Sequence, residues 1–452
     1  MARTSKRGKR QKKKPFPLLR LPPAVLARIF SFEDVVTLSN LILCRALLPH
    51  TLTGLYDTVR LARPSDLARF CASLVMRPEL LSAVSFLFVG TGRTGGGAWM
   101  RNGSEGALDS LLAKGGAEAS VYDPDEVVGS IELLQNLLQR LPLLTYLRVS
   151  GVALVVPIFS PSFLISEPFP RLHELTVELA SGEDYDPPES IAILRSLLTH
   201  LPALRALSLT GSRHQAPLTL LNLPSPSYLP PRSWRLTALR LQLWVAIPAE
   251  VRSLFSSMAH GLTHFTATPL DAYAEFMRDL AFLPPSLTHL SLTFGFPCPR
   301  HIHKPGLPKF GDAPLFLPSL TFLQLRGDIL SPASFPVIRS FPALDYLCLG
   351  PHTQPSLSSV LSLFEFADEE EEGYWLSPIS SLDIDICACP PGPLRGGGAG
   401  KRPNWPPTLG YSEAKELVEE LDGYGVFVGG TVLCAIRDCV KDDGHDCPRW
   451  YR

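Results

Sequence analysis

Apolar and polar positions repeat along this chain in one arrangement, Leu-Pro-x-Leu-x-x-Leu-x-Leu. Clear copies are LPLLTYLRV from Leu141, LPALRALSL from Leu201 and LPSLTFLQL from Leu317. The end of each copy alternates apolar and polar residues, which is the period of a β-strand with one buried face. Each copy therefore predicts a short strand whose leucines point into a core.

The first apolar position of each copy sets the period of the repeat. These positions are Leu144, Leu172, Leu204, Leu236, Leu262, Leu287, Leu320, Leu344 and Ile379. They lie 24 to 35 residues apart, and an earlier copy can begin at Val84, which leaves room for two units before Leu144. A unit of this size cannot bury its own apolar face, so the units are expected to stack in series as a solenoid.

Helical stretches precede most copies. EVVGSIELLQNLLQRL from Glu126, ESIAILRSLLTHL from Glu189 and AEVRSLFSSMAHGL from Ala249 carry apolar residues at helical spacing. The proline that follows cannot continue a helix and turns the chain toward the next strand. The predicted fold is an α/β solenoid with a parallel sheet on the concave side and helices on the convex side.

The repeats resemble the leucine-rich repeat family. That family carries Asn or Cys after the last leucine and runs at about 20–29 residues per unit. Here Ser150-Gly151, Ala180-Ser181 and Gly211-Ser212 follow the last apolar position, and several units are longer. The resemblance therefore implies an irregular solenoid without an asparagine ladder.

Composition supports a globular chain interrupted by surface insertions. Hydrophobic residues make up 45% and charged residues 19% of 452 residues, which favours a folded core. The 44 prolines are about twice the usual share of roughly 5%. Pro-rich stretches at 223–231, 296–318 and 390–407, a Gly-rich stretch at 90–116 and the acidic run 368–372 are interpreted as loops between units.

Cysteine content and hydropathy bear on the compartment. Nine scattered cysteines give no dense disulfide framework, which favours a reducing compartment. No apolar run reaches the roughly 18 residues of a membrane helix. Arg20 and Arg28 interrupt the segment that a signal peptide would need to be apolar. We expect a nuclear and/or cytoplasmic protein with no membrane partner.

Charge is concentrated at the N-terminus. Residues 1–14 hold eight Lys or Arg and no acid, and the rest has 34 basic residues against 43 acidic ones, or about −9. The tail is either a nuclear import or nucleic-acid signal or a disordered, solubilising segment. The acidic body argues against phosphate binding by the solenoid, so nucleic acid is expected to bind only through the tail, if at all.

A second apolar segment lies between the tail and the repeats. LPPAVLARIFSFEDVVTLSNLILCRALLPHTLTGLYDTVRL, from Leu21, divides into three short helices, the first opened by Pro22-Pro23. About forty residues are too few for a self-sufficient core. So much apolar surface should therefore be covered by the solenoid or by another protein.

This segment resembles an F-box. It has an opening Leu-Pro, an Ile-Phe pair, a Leu-Cys-Arg where the family has Val-Cys-Arg, and a Leu-Tyr where the family has Leu-Trp. The resemblance implies docking on a Skp-type adaptor, which joins a cullin scaffold, while the repeats recruit a protein for ubiquitination. The implied adaptor-binding residues are Leu21, Pro22, Val25, Leu26, Ile29, Phe30, Leu43, Cys44, Arg45, Leu55 and Tyr56.

Most of the chain thus resembles fungal-type F-box/leucine-rich-repeat proteins, which are substrate receptors of cullin-based ubiquitin ligases. The implied plan is a basic tail at 1–14, an F-box at 15–62, a solenoid at 63–410 and a C-terminal cap at 411–452. In the cap, Ser412 is expected to cap a helix that ends at Gly423, with a last strand or hairpin after it.

Two alternatives to this plan remain. In the first, the apolar segment is not an F-box but an N-terminal helical cap of the solenoid. In the second, the protein is a leucine-rich-repeat scaffold for protein binding with no ubiquitin role. An enzyme is not expected, since the chain has no P-loop, nucleophile elbow or kinase motif.

Smaller constellations also predict no catalytic residue, cofactor or metal site. The GxGxxG at 90–95 is followed by loop-like sequence rather than a helix. Asp383 and Asp385 alternate on one strand and are interpreted as a solvated edge. Cys298, His301 and His303 have the spacing of zinc ligands but no fourth ligand nearby. Cys434, Cys439, His445 and Cys447 could supply four ligands, but Cys434 lies in the apolar run TVLCAI.

The outward residues of the strands form the predicted partner-binding surface. Between inward leucines, the central column is Arg148, Thr176, Ser208, Arg240, Thr266, Ser291, Gln324 and Cys348. Arginine and aromatic side chains dominate the energetics of protein interfaces. The expected anchors are therefore Arg148, Arg240, Phe322, Arg326 and Tyr346.

Overall fold

The computed structural model describes about half of the chain, in segments. The described residues are 21–22, 25–26, 55–90, 125–166, 169–179, 200–211, 218–219, 235–245, 261–269, 273–294, 309–327, 329–350, 353, 355–364, 378–385, 409, 411–430 and 432–433.

One parallel sheet runs through the described residues. Its thirteen strands are β1 (Thr58–Leu61), β2 (Phe86–Val89), β3 (Tyr146–Ser150), β4 (Glu174–Glu178), β5 (Ala206–Thr210), β6 (Leu218–Thr219), β7 (Ala238–Val245), β8 (His264–Pro269), β9 (His289–Thr293), β10 (Phe322–Arg326), β11 (Tyr346–Leu349), β12 (Ser381–Ile384) and β13 (Phe427–Gly429). Each strand pairs with its predecessor in the chain, except that β5 pairs with β7 and the short β6 pairs with the far end of β7. Sequential parallel pairing of this kind is the arrangement of a solenoid, as predicted.

Helices connect several of the strands. They are α1 (Pro64–Met76), α2 (Asp125–Gln139), α3 (Val152–Ile158), α4 (Pro161–Leu164), α5 (Tyr273–Asp279), α6 (Ser334–Arg339), α7 (Leu357–Leu361) and α8 (Tyr411–Gly423), with 3₁₀ turns at Pro78–Ser82 and Leu280–Phe282. The helix predicted from Glu126 is α2, which buries Leu134, Leu137 and Leu138. Most of the stretches from Glu189 and Ala249 lies outside the described residues. No described helix is long and apolar enough to cross a membrane.

The core is built from the leucines that the repeat predicts. All the first apolar positions from Leu144 to Ile379 are at most 3% exposed. Strands such as β4, β5 and β9 alternate buried and half-buried or exposed residues along their length. One face of the sheet therefore packs against the helices, and the other faces outward.

The prolines of the repeat lie in tight turns before the strands. The Leu204 N–H donates to the Leu201 carbonyl at 3.1 Å, and the Leu320 N–H donates to Leu317 at 3.2 Å. Pro202 and Pro318 are thus the second residues of four-residue turns, where a fixed φ near −65° costs nothing. The first leucine of each copy enters the core directly after this turn.

Threonine hydroxyls at the start of several strands form a row of hydrogen bonds to the preceding unit, which we call the threonine ladder. Each hydroxyl donates to a backbone carbonyl of the preceding strand's unit, at 3.0 to 3.1 Å. The donors are Thr145, Thr237, Thr263, Thr288 and Thr321. These bonds tie neighbouring units together beyond the sheet's own backbone pairing.

The structure differs from the sequence prediction at both ends of the sheet. Thr58–Leu61, inside the range 15–62 assigned to an F-box, is the first strand of the sheet. β2 pairs directly with β3, so the described residues hold no further strand between them. At the other end α8 begins at Tyr411, so Ser412 lies inside the helix and the capping prediction is wrong. β13 pairs in parallel with β12, which confirms the last strand; of the residues that follow Gly430, the structure describes only the helical 432–433.

Candidate functional site

The outward face of the sheet is organised in columns that cross the strands. Backbone register aligns one outward residue from every strand except β6 in the central column: Arg60, Phe88, Arg148, Thr176, Ser208, Arg240, Thr266, Ser291, Gln324, Cys348, Asp383 and Gly429. The register predicted from Arg148 to Cys348 is confirmed, and it continues by two strands at each end. The alignment brings together side chains that lie far apart in sequence.

The five predicted anchors all lie on this face but not in one cluster. Arg148 and Arg240 are in the central column, on β3 and β7. Phe322 and Tyr346 are neighbours in the column before it, and their ring centroids are 4.8 Å apart. Arg326 is exposed near the end of β10, beyond the central column. The structure thus brings the two aromatic residues together and spreads the arginines along the sheet.

Four rings stack across β8 to β11. The ring centroids of His264 and His289 lie 4.1 Å apart, and those of His289 and Phe322 lie 5.5 Å apart. The ring planes of Phe322 and Tyr346 are within 3° of parallel. Burial, and then the neighbouring His264, lowers the pKa of His289 below its ordinary value. We call His264, His289, Phe322 and Tyr346 the ring stack.

Polar contacts close the end of the ring stack. The Tyr346 hydroxyl donates to the Asp383 carboxylate on the next strand. Burial first, and this hydrogen bond second, raises the pKa of Tyr346. Ser291 Oγ donates to Gln324 Oε1 at 2.8 Å, and Gln324 Nε2 donates to Cys348 Sγ at 3.4 Å. This stretch of the face therefore satisfies its own polar groups.

The two arginines of the central column differ in their partners. Arg148 Nη2 lies 2.6 Å from Glu178 Oε1 on β4, in an ion pair that is partly exposed to solvent. Arg240 instead lies beside the neutral side-chain amide of Gln242. With the amide oxygen turned toward the guanidinium, Arg240 Nε donates to it at 2.9 Å and Arg240 Nη2 at 2.7 Å. Among the described residues no carboxylate pairs with Arg240. Its described contact is therefore a pair of hydrogen bonds to a neutral group and not an ion pair.

A depression lies in the middle of the outward face, and sequence reasoning missed it. Ala206 on β5 and Ala238 on β7 occupy the column that holds the ring stack on later strands. Their small side chains leave a volume of about 250 Å³, lined also by Glu174, Arg240 and His264. The signal in the sequence was the alanine at this position in the copies ALSL and ALRL.

The predicted adaptor-binding residues are only partly described. Leu26 N–H donates to the Pro22 carbonyl at 3.1 Å, which is the first turn of the predicted helix. Leu26 is 3% exposed, whereas Val25 is 43% exposed and Leu21 is half-buried. Ile29, Phe30, Leu43, Cys44 and Arg45 lie outside the described residues.

Leu55 and Tyr56, the last of the predicted adaptor-binding residues, are half-buried directly before β1. The Tyr56 ring stacks on Phe70 of α1, with centroids 5.9 Å apart. Tyr56 therefore packs at least partly against the core of its own chain.

A second cavity lies between α1 and α2, on the helix side of the sheet. It has a volume of about 430 Å³ and is lined by Cys71, Val75, Leu133 and Arg140 among others. Burial raises the pKa of the Cys71 thiol to about 11, so the thiol is neutral and a weak nucleophile.

Metal ligation has no support in the described part of the chain, where no three His, Cys, Asp or Glu side chains form a group that could hold an ion. The Cys298 and Cys434 groups lie outside the described residues, as does most of the GxGxxG at 90–95. Its first residue, Gly90, has φ of 87°, and a Cβ there would lie 2.1 Å from the Ser150 carbonyl oxygen. That glycine therefore has a packing role.

Comparison with known proteins adds no family. No family model matches the chain, and no curated protein matches it in sequence. The outward face of the sheet and the N-terminal segment are therefore the features of the molecule that bear on its function.

Proposed function

We propose that the chain is an F-box substrate-recognition subunit. In this role it links a Skp-type adaptor, and through it a cullin-based ubiquitin ligase, to a protein target held on a leucine-rich-repeat solenoid. The observation that carries the proposal is the sheet of parallel strands in continuous register, whose outward face presents rings and arginines as the sequence predicts.

The chemistry of the outward face supports a protein ligand. Its central column is mostly hydroxyl, amide and guanidinium side chains, with stacked rings beside it. Interfaces are enriched in arginine and aromatic residues, and these residues supply most hot spots. A small-molecule enzyme site would instead need convergent catalytic groups, and the described columns hold none in an enclosed pocket.

The N-terminal segment supports the adaptor role. Val25 is exposed while Leu26, its neighbour in the same helical turn, is buried. An exposed apolar side chain beside a buried one continues the apolar surface outward, where a partner can cover it. Val25 is among the residues that the F-box resemblance assigns to the adaptor.

Co-purification with a Skp-type adaptor tests this proposal. Val25→Asp should abolish co-purification, because a carboxylate in an apolar interface loses its hydration without a partner. Ile165→Asp is the matched control, since Ile165 is 67% exposed and lies far along the chain. Adaptor binding that survives Val25→Asp in a folded protein would contradict the F-box assignment.

A repeat scaffold with no ubiquitin role is the second candidate. It is favoured by the Tyr56–Phe70 stacking and by the pairing of Thr58–Leu61 with β2, since both attach the end of the N-terminal segment to the sheet. These contacts fit a helical cap that covers the first unit of a solenoid. The scaffold is supported if the wild-type chain binds a protein through its sheet face while no adaptor co-purifies.

A further inference from the structure

The outward column of rings is interrupted in the middle of the sheet. Phe86 and Tyr146 lie near one end with centroids 5.9 Å apart, and the ring stack begins at His264 toward the other end. Between them the same column holds Glu174, Ala206 and Ala238. The interruption coincides with the 250 Å³ depression.

The spacing of the strands suits a further ring at this point. Neighbouring strands lie about 4.8 Å apart, close to the stacking distance of aromatic rings. His264 stacks on His289 on one side, and the next strand on its other side carries only the methyl group of Ala238. Among the described residues, His289 provides the one ring that stacks on His264. A ring above Ala238 would extend the stack by one position.

The size of the depression favours one side chain over a free ligand. Small-molecule sites are usually about 300–1,000 Å³ and enclose most of the ligand. This depression is smaller, at about 250 Å³, and lies on an open sheet face. A single large aromatic side chain of a protein, seated in a pocket near the centre of an interface, matches the usual form of a hot spot.

Charge determines what should lie beside that ring. Arg240 lines the depression, and its described contact is the neutral Gln242 amide. Ser208 and Thr266 flank Arg240 in register on the neighbouring strands and add hydroxyl donors. Glu174 is the lining carboxylate, and it lies on β4, two strands from Arg240. An acidic group is therefore favoured on the Arg240 side of the depression.

We propose that this depression binds an aromatic side chain of a partner protein, with an acidic residue of the same segment paired to Arg240. The ring stacks on His264 over Ala206 and Ala238, and the carboxylate accepts from the guanidinium and the flanking hydroxyls. This inference deepens the proposed function and rests on it for the role of the sheet face as the recruiting surface.

Selection from a random peptide library displayed on phage, with the full chain as bait, tests the inference. Enriched peptides should carry Trp, Tyr or Phe within two positions of Asp or Glu. A synthetic copy of an enriched peptide should bind Ala238→Trp at least about tenfold more weakly, because the new side chain fills the depression. Arg240→Gln should weaken the same peptide about fivefold or more.

Matched variants separate local from general effects. Ser381→Trp adds the same side chain in the same column on β12, outside the depression, and should leave peptide affinity unchanged. If Ala238→Trp fails to fold by circular dichroism, Ala206→Phe replaces it as the filling variant. Enrichment of peptides without aromatic residues, or of basic sequences, or no enrichment at all, would overturn the inference.

Adaptor co-purification is measured on the same variants. A wild-type chain that binds the selected peptide but co-purifies with no adaptor contradicts the proposed function alone. Adaptor binding without aromatic–acidic peptide binding contradicts this inference alone.

Discussion

Two stretches of the same sheet share one inward face and differ in the outward one. β5 and β7 bury Leu207 and Leu239, and β9 and β10 bury Leu290 and Leu323, all to 2% exposure or less. On the outward side the first pair carries alanines around a depression, whereas the second pair carries stacked rings. The core is therefore uniform, and the surface changes from one unit to the next.

The difference shows where binding energy remains available. In the ring stack, Phe322 contacts rings on both sides, and Tyr346 donates to Asp383, so these groups already have partners in their own chain. Beside the alanines, the charge of Arg240 has no described carboxylate partner. The comparison moves the expected hot spot from Phe322 and Tyr346 toward Arg240 and the depression.

The largest expected effect tests whether the inward faces are equivalent. Leu209→Ala and Leu323→Ala should each lower the free energy of unfolding by about 2–5 kcal/mol, since both side chains are fully buried. Denaturant unfolding followed by circular dichroism measures both. Ser208→Ala on the outward face is the control and should change little. A large cost at only one of the two leucines would mean that the two stretches do not share one core.

The next effect concerns the two arginines of the central column. Arg240→Ala should weaken binding of a sheet-face ligand by at least about 1 kcal/mol, roughly fivefold. Arg148→Ala should cost less, because Glu178 already pairs with that guanidinium at 2.6 Å. Titration of the peptide selected on the wild-type chain compares them. Equal losses at both positions would argue against the depression as the centre of binding.

The sequence predicted the inward face better than the outward one. Leucine spacing determines which residues enter the core, so the strands and their register followed from the repeat. β1 was missed because TVRL lies inside the segment that resembles an F-box, and because it lacks the Leu-Pro turn that marks copies such as LPALRALSL. The depression could not be located from spacing alone, because it depends on which side chains align across strands that lie about thirty residues apart in the sequence.

The threonine ladder was also missed, although the sequence held its signal. Five copies place Thr directly after the first leucine, but only the structure shows that the hydroxyl reaches the carbonyl of the preceding unit. A local pattern predicts a strand, whereas a bond between units requires their packing distance. For the same reason, the sequence predicted Phe322 and Tyr346 as anchors but did not predict the four-ring stack that contains them.

The threonine ladder should add a moderate amount to the free energy of unfolding in both stretches of the sheet. Thr288→Val removes the hydroxyl that donates to the Thr263 carbonyl at 3.0 Å. It should lower the free energy of unfolding by about 0.5–1.5 kcal/mol. Thr266→Val, on the outward face, is the matched control and should cost less. The measurement is again denaturant unfolding at fixed pH. An equal cost for both substitutions would show that the ladder adds no stability of its own.

The smallest effect is a pH dependence confined to the ring stack. The pKa of His289 is lowered in the folded chain, so near and below its ordinary value of 6.5 the unfolded chain binds more protons. Stability should therefore fall as the pH drops below about 6.5, and the loss should stop once the pH passes the folded pKa. Thermal unfolding of His289→Phe should lack this component, whereas the depression variant Ala206→Phe should retain it. An unchanged profile in His289→Phe would contradict the assignment.

Photo-crosslinking tests most directly the claim that the alanine stretch, and not the ring stack, receives the partner. A photoreactive benzoylphenylalanine is placed at Thr176, which lines the depression, or at Ser291, in the central column beside the ring stack. With the peptide selected on the wild-type chain, the account predicts strong crosslinking from position 176 and little from position 291. Crosslinking mainly from position 291, or from neither while the peptide remains bound, would contradict it.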